Sequence, residues 1–279
     1  MKIFRIHNIE EYRRHQEKNA NYFHKMMKYE READQPNKQK FTVKGVSVPG
    51  NSMVEFFVDR LYSNGNQVNW RERLVCPITG LNNRLRASYH LLESELGIYD
   101  DDRIFITEQV THFYKFLTSK YSRVSGSEYL NPKLKSGTIV KGVRHEDMTS
   151  LSFEDESYDI CLSFECLEHI PDYSAAIKEI ARILRPGGRF LGTFPFASGQ
   201  HENIIRATMT DTGHIIHYME PEYHGNPVDE KGSLCFTVFG WEVLDIFKAA
   251  GFKDAYALLY WSDVFGYLGG EQIVFVAQK

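Results

Sequence analysis

The sequence predicts a doubly wound α/β domain that ends in an antiparallel hairpin and follows a small α+β lobe. Three observations carry this expectation. From Asp102 onward, short apolar runs alternate with amphipathic stretches in a strand–helix rhythm. One of those runs, "YDICLSF" at 158–164, is apolar on both faces apart from its ends, as a central parallel strand is. The first hundred residues lack the rhythm altogether.

Residues 8 to 34 read as one polar helix with a narrow apolar stripe at Ile9, Tyr12, Phe23, Met26 and Met27. Such a helix packs on the body of the protein or on a second subunit, so a homodimer through this helix is the partner expectation. "FTVKGVSV" and "MVEFFVD" then flank Pro49, Gly50 and Asn51 as the arms of a hairpin. Ser47-Val-Pro-Gly50 and Cys76-Pro-Ile-Thr79 stand where a two-knuckle zinc ribbon places paired cysteines. Three of the four thiols are missing, and one thiolate cannot hold Zn²⁺, so a metal-free ribbon-like lobe is expected over residues 1–100. "NWRERLVCPITGLNNRLRASYHLL" adds a short strand, a tight turn and a helix through Leu91 and Leu92.

In the second part, residues 101–279, "RIFIT" is the first strand, and "THFYKFLTSKY" is a helix with Thr111 as its N-cap. "SRVSGSEYL" is the second strand, "GTIVKGVRHED" the third and "YDICLSF" the fourth. Pro171 and Asp172 open the next helix, Tyr173, Ile177, Ile180 and Leu184 line one face of it, and Arg185-Pro186-Gly187-Gly188 closes it. "RFLGTFPF" is the fifth strand and "GWEVLDIFKAAGF" a helix ended by Gly251. "AYALLYW" and "QIVFVAQ" are the terminal hairpin. Residues 197–236 form an insertion of little periodicity, long enough to serve as a lid over a substrate.

Composition narrows the function. A chain of 279 residues with 42% hydrophobic and 25% charged residues can bury a sizeable core. The formal net charge of −4 recruits neither nucleic acid nor an anionic membrane surface, which favours a neutral small substrate. The start, "MKIFRIHNIEEYRR", turns charged before a signal peptide could form, and no apolar run approaches a membrane span. Cys76, Cys161, Cys166 and Cys235 are too few and scattered for a disulfide framework. A cytoplasmic protein without nucleic-acid or membrane partners is expected.

The block "HEDMTSLSFEDESYDICLSFECLEHIPDYSAAIKEIARILRPGGRFLGTFPF" resembles class I S-adenosylmethionine-dependent methyltransferases, particularly the quinone-biosynthesis methyltransferase branch. The likeness covers about residues 102 to 196 and continues through the C-terminal third, leaving the first hundred residues outside it. It implies a Rossmann-like sheet, S-adenosyl-L-methionine as cofactor and S-adenosyl-L-homocysteine as product. By the same likeness, Glu128 at the end of the second strand accepts the ribose hydroxyls, a task that suits an acceptor-only carboxylate. Asp147 after the third strand accepts the adenine amino group, and Met148 offers its backbone amide to the ring. Phe164 and Glu165, closing the fourth strand, complete the expected cofactor set.

The family's first strand ends in an acid and a glycine-rich turn, whereas here Ile106-Thr107-Glu108-Gln109-Val110 fills that place. Two explanations compete. In one, the helix near Thr111 still presents free amides, with Thr107, Glu108 and Gln109 holding the methionine end. In the other, the fold has lost the cofactor and is a non-catalytic binding protein. A nicotinamide dehydrogenase is disfavoured, because G-x-G-x-x-G is absent.

Methyl transfer from a sulfonium needs positioning and, for a hydroxyl acceptor, a base. "FECLEHI" supplies Glu165, Glu168 and His169, the latter two as apt for structure as for catalysis. The insertion supplies His201, Arg206, His214, His217, Glu222, Tyr223 and His224. His201, His217 and His224, with His169, are the candidate bases. Arg206, Glu222, Tyr223 and Trp241 are the candidate contacts to a small-molecule or glycan acceptor, most simply methylated at oxygen. For each histidine a hydrogen-bonded loop role is the plain alternative. Chelation by His214, His217, Glu222 and His224 ranks below the base role, since their spacing fixes no geometry, and no metal is assigned.

Overall fold

The computed structural model describes residues 1–63, 65 and 67–279, and the chain divides into two compact units. The first comprises residues 1–6, 10–98 and 257–274, and the second residues 7–9, 99–256 and 275–279.

In the first unit, strand β1 (Lys2–Ile6) runs antiparallel to residues 257–261, with Lys2 opposite Trp261 and Ile6 opposite Ala257. The stretch expected as one helix is two, α1 (Ile9–Lys18) and α2 (Ala20–Ala33). The break falls at Asn19, whose side-chain amide donates to the His15 carbonyl at 2.9 Å, a local bond that competes with helical continuation. The expected hairpin forms from β2 (Lys40–Ser47) and β3 (Ser52–Asp59) in unbroken register, Lys40 opposite Asp59 and Ser47 opposite Ser52. Alternation buries Phe41, Val43, Val54, Phe56 and Val58 on one face, in a cluster with Val68, Trp70, Leu74 and Cys76.

Helix α3 (Asn83–Leu91) is capped by Asn82, whose side chain accepts the Leu85 amide. It carries Arg86, fully buried with its guanidinium 3.6 Å from the centroid of the Phe56 ring and donating to the carbonyls of Leu74, Phe265 and Gly266. Burial pulls its pKa down to about 10, and three carbonyls with an aromatic face stand in for the water it has lost.

The second unit holds the parallel strands. β4 (Ile104–Ile106) leads into α4 (His112–Lys120), where Thr111 accepts the Tyr114 amide as the expected N-cap. β5 (Val124–Gly126) lies parallel beside β4. The expected third strand is reduced: residues 139–144 make only a miniature hairpin, β6 (Ile139–Val140) with β7 (Val143–Arg144). What remains at the third position is one parallel bridge, Glu128 to His145. Gly137 and Gly142 and the non-glycine Lys141, all at positive φ, turn the chain too sharply for a longer ladder.

β8 (Tyr158–Phe164), buried along its whole length, pairs parallel with β4 on one side and with β9 (Leu184–Thr193) on the other. Between them runs α5 (Tyr173–Ile183), N-capped by Asp172. Arg185 to Gly188 belong to the strand that follows this helix and not to its end, since Ile183 is the last helical residue.

The insertion is more ordered than its sequence suggests. β10 (Ile204–Ile205), β11 (Ala207–Met209), β12 (Ile215–His217), β13 (Tyr223–Asn226), β14 (Asp229–Leu234) and β15 (Thr237–Val238) form three two-stranded ladders. Ala207, Leu234 and Phe236 give them a small core of their own. Helix α6 (Glu242–Ala249) follows. The last strands are β16 (Asp254–Ser262) and β17 (Tyr267–Gln278), neighbours as expected, and Phe275–Gln278 run antiparallel beside β9.

The expected doubly wound α/β architecture is therefore present, with strands ordered β9-β8-β4-β5 in parallel. The chain leaves β4 toward β5 and returns on the other side of β4 as β8, which sets the topological switch between β4 and β8. Among the described residues no helix is long and apolar enough to cross a membrane.

Candidate active site

Ligands of open α/β sheets bind beyond the carboxyl ends of the strands at the switch point. Residues 107–110 lie there, and their geometry explains why no glycine is needed: none of the four has a positive φ. Side chains hold the turn instead. Glu108 spans the switch, its Oε1 accepting the Phe164 amide at 2.7 Å. Thr107 Oγ1 donates to Glu108 Oε2 at 2.9 Å and lies 3.1 Å from Ser163 Oγ. Gln109 donates through Nε2 to the Gly142 carbonyl at 3.0 Å and accepts the Arg144 amide at 2.8 Å. The glycine that the crowding requires is on β5: a Cβ at Gly126 would sit 2.6 Å from the Tyr114 ring and 3.1 Å from Gln109 Cα.

Glu128 is buried at 9% exposure, and its Oε1 accepts the Val110 amide at 2.8 Å. Burial raises its pKa, opposed by the amides of Val110 and Gln109. Asp147 is half-buried, and its Oδ1 takes the amide and hydroxyl of Thr149 at 2.9 and 2.7 Å. Met148 and Phe164 are buried, and Glu165 has a φ of 55° while its amide donates to the Thr193 carbonyl.

A second group of expected residues meets beyond β8. The single 3₁₀ turn Leu167–His169 places Glu168 and His169 against β13, which carries His224. Glu168 Oε1 is 3.5 Å from His169 Nε2 and 3.5 Å from His224 Nδ1. Glu222 reaches the far side of the His224 ring, Oε1 to Nε2 at 3.3 Å, and Arg206 holds Glu222 at 3.0 Å. Glu168 raises the pKa of His224, burial opposes it, and Glu222 adds to the rise. Tyr223 is exposed on the same strand.

The other expected residues lie elsewhere. His201 is half-exposed and near Glu202 and Asp245, at 4.0 and 3.9 Å. His217 is exposed in β12 opposite Ala207. Trp241, expected to offer a flat face to an acceptor, is 2% exposed, edge-on to Phe196, with its indole N–H donating to the Ser198 carbonyl; it is a core residue because its flanking chain closes over it. Of the four residues weighed as chelators, Glu222 and His224 meet, whereas the ligand cluster found among the described residues contains neither His214 nor His217.

Sequence reasoning held Glu168 to be as apt for structure as for catalysis and gave it no role, although it is at the centre of this group. Its adjacency to His169 was the visible signal; its burial was not. His145 was also missed: it is fully buried beside Glu128, its Nδ1 accepts the Leu130 amide at 3.0 Å, and its Nε2 has no partner. A surface cavity of about 490 Å³ lies at the opposite, amino ends of the strands, lined by Arg103, Arg123, Phe153 and Tyr158 among others, away from both groups.

Residues 111–192 match the methyltransferase domain family. Over this stretch, the match and the strand order described above support a class I S-adenosylmethionine-dependent methyltransferase domain. Among curated relatives, the chain is 43% identical over 51 residues to 27-O-demethylrifamycin SV methyltransferase of Amycolatopsis mediterranei, covering 18% of this chain and 19% of that one. It is 32% identical over 108 residues to an uncharacterized methyltransferase of Mycobacterium sp. (strain KMS), covering 37% and 42%. The chain spans less than half the length of the curated relatives it matches. Among solved structures, it is similar at 19% identity and a TM-score of 0.39 to Burkholderia thailandensis 1,6-didemethyltoxoflavin-N1-methyltransferase, solved with bound 1,6-didemethyltoxoflavin and S-adenosylhomocysteine, over 70% of this chain and 77% of that one.

Proposed function

We propose that the chain transfers a methyl group from S-adenosyl-L-methionine to an oxygen of a small-molecule or glycan acceptor, releasing S-adenosyl-L-homocysteine. One observation carries the cofactor half of this proposal: the buried Glu128 carboxylate faces the first turn at the switch point, with Oε1 on the Val110 amide. An ionised carboxylate has about four acceptor sites, so one amide leaves places for the two ribose hydroxyls. Asp147 and the Met148 amide would meet the adenine, Phe164 and Glu165 would flank it, and Thr107, Glu108 and Gln109 would face the methionine end. The side-chain bonds that replace a glycine turn keep the site shaped, which favours this reading over a fold that has lost its ligand.

The acceptor half rests on His224. Glu168 lies on one side of its ring and Glu222 on the other, an arrangement that would stabilise the imidazolium formed when the ring takes a hydroxyl proton. His169 is the neighbouring alternative, at a ring-centroid distance of 5.0 Å, with His201 and His217 behind it. Arg206, Glu222 and exposed Tyr223 would contact the acceptor. Calorimetric titration with S-adenosylhomocysteine tests the cofactor half: saturable one-to-one binding supports it, and no heat at millimolar ligand refutes it.

A further inference from the structure

We infer that Glu168, His169 and His224 form a binding site for one divalent transition-metal cation of the zinc class. The three side chains present one carboxylate oxygen and two ring nitrogens within 4.8 Å of one another. The Glu168 side chain is fully buried, and neither of its oxygens has a hydrogen-bond partner. A buried carboxylate without a hydrogen bond is costly unless a cation offsets it.

The partners around the two rings leave one nitrogen of each facing the Glu168 carboxylate. His169 Nδ1 is 2.8 Å from the Leu234 carbonyl, an acceptor only, so Nδ1 carries the proton and Nε2 presents a lone pair to Glu168. His224 Nε2 is 3.3 Å from Glu222 Oε1, and the tautomer protonated at that nitrogen presents the Nδ1 lone pair to Glu168 as well. In that tautomer three acceptors converge with no donor between them. Metal-ligating histidines ordinarily donate their other N–H to a carbonyl or a carboxylate, and both forms are present here.

The spacing also fits. With metal–ligand bonds of about 2.1 Å, a tetrahedral centre needs ligand atoms about 3.4 Å apart. The two measured Glu168 edges are 3.5 Å each. Two histidines and one glutamate leave a fourth position open, and neutral imidazoles with a carboxylate suit Zn²⁺ or Co²⁺ better than Ca²⁺ or Mg²⁺. The other groups around the cluster support this choice. Arg206 holds the outer Glu222 at 3.0 Å, and the buried Cys235 thiol points its hydrogen bond at the Thr237 carbonyl.

The site deepens the methyl-transfer reading and rests on it only for its role: a bound cation would polarise the acceptor hydroxyl, and His224 would serve as ligand instead of base. Binding itself needs no methyl donor and is tested without one. The full chain, stripped with a chelator and dialysed, is titrated with ZnCl₂ by calorimetry and with Co²⁺ by visible absorption. The expected result is one cation per chain and ligand-field bands of a low-coordinate Co²⁺. His224→Ala, on a partly exposed strand, abolishes the bands, and Glu168→Gln does the same while keeping the side-chain volume. Glu222→Gln, which touches only the far nitrogen, weakens zinc about tenfold. Failure of the wild-type chain to take up either ion, or uptake unchanged in His224→Ala, overturns the site, whereas loss of S-adenosylhomocysteine binding with zinc uptake intact overturns only the transfer reading.

Discussion

Glu108, at the end of β4, accepts the backbone amide of Phe164, at the end of β8, at 2.7 Å, so a side chain locks the switch point where glycines would otherwise shape it. The bond is charge-assisted and half-buried, and removing it strands an interior N–H. Glu108→Ala should lower unfolding free energy by about 1–3 kcal/mol in urea denaturation. It should also weaken S-adenosylhomocysteine binding, whereas Glu108→Gln should retain most of the stability, since the amide oxygen can still accept.

Restoring a glycine to the turn should not help. Gln109 has no positive φ and ties the turn to Gly142 and Arg144 through both ends of its side chain. Gln109→Gly should therefore lower the melting temperature and weaken cofactor binding. Tighter binding in that variant would show that the missing glycine is a defect and not a replacement.

Gly126 is a steric requirement. The Cβ of Gly126→Ala would meet the Tyr114 ring at 2.6 Å, forcing helix α4 from β5. The substitution should destabilise by about 1–3 kcal/mol, and Tyr114→Ala in the same chain should recover part of that loss. Strict additivity in the double mutant would contradict the contact.

The acid limb of the stability curve should carry the mark of Glu179. Arg182 hydrogen bonds hold its carboxyl below the ordinary value of 4.5, with burial opposing and the Leu151 amide assisting. A depressed carboxyl contributes stability that is fully present above its unfolded pKa and is lost as pH falls through its folded pKa. Melting temperatures of wild type and Glu179→Gln should differ most near neutrality and converge as pH drops below about 4.5. A constant gap would remove Glu179 from the linkage.

The sequence revealed the elements whose signals are local. A run apolar on both faces apart from its ends announced Tyr158–Phe164, and Thr111 and Asp172 announced their helices because a cap acts within three residues. What escaped was non-local. β1 exists only through pairing with residues some 250 positions away, and a five-residue strand half open to solvent leaves little pattern. The ladders of 204–238 are two to six residues each, too short for periodicity to register. Glu168 looked like a helix-start acid until His224, 56 positions on, was folded against it. Trp241 failed in the opposite sense, because an aromatic's composition does not say which face is covered.

We propose that Glu128 grips an adenosine at the end of β5. The most direct test is the affinity of wild type and Glu128→Ala for S-adenosylhomocysteine, measured by calorimetry alongside each protein's melting temperature. Wild type should bind saturably and the variant should lose at least roughly tenfold in affinity, as expected for a carboxylate making two charge-assisted bonds. Equal affinity in the two proteins would contradict it.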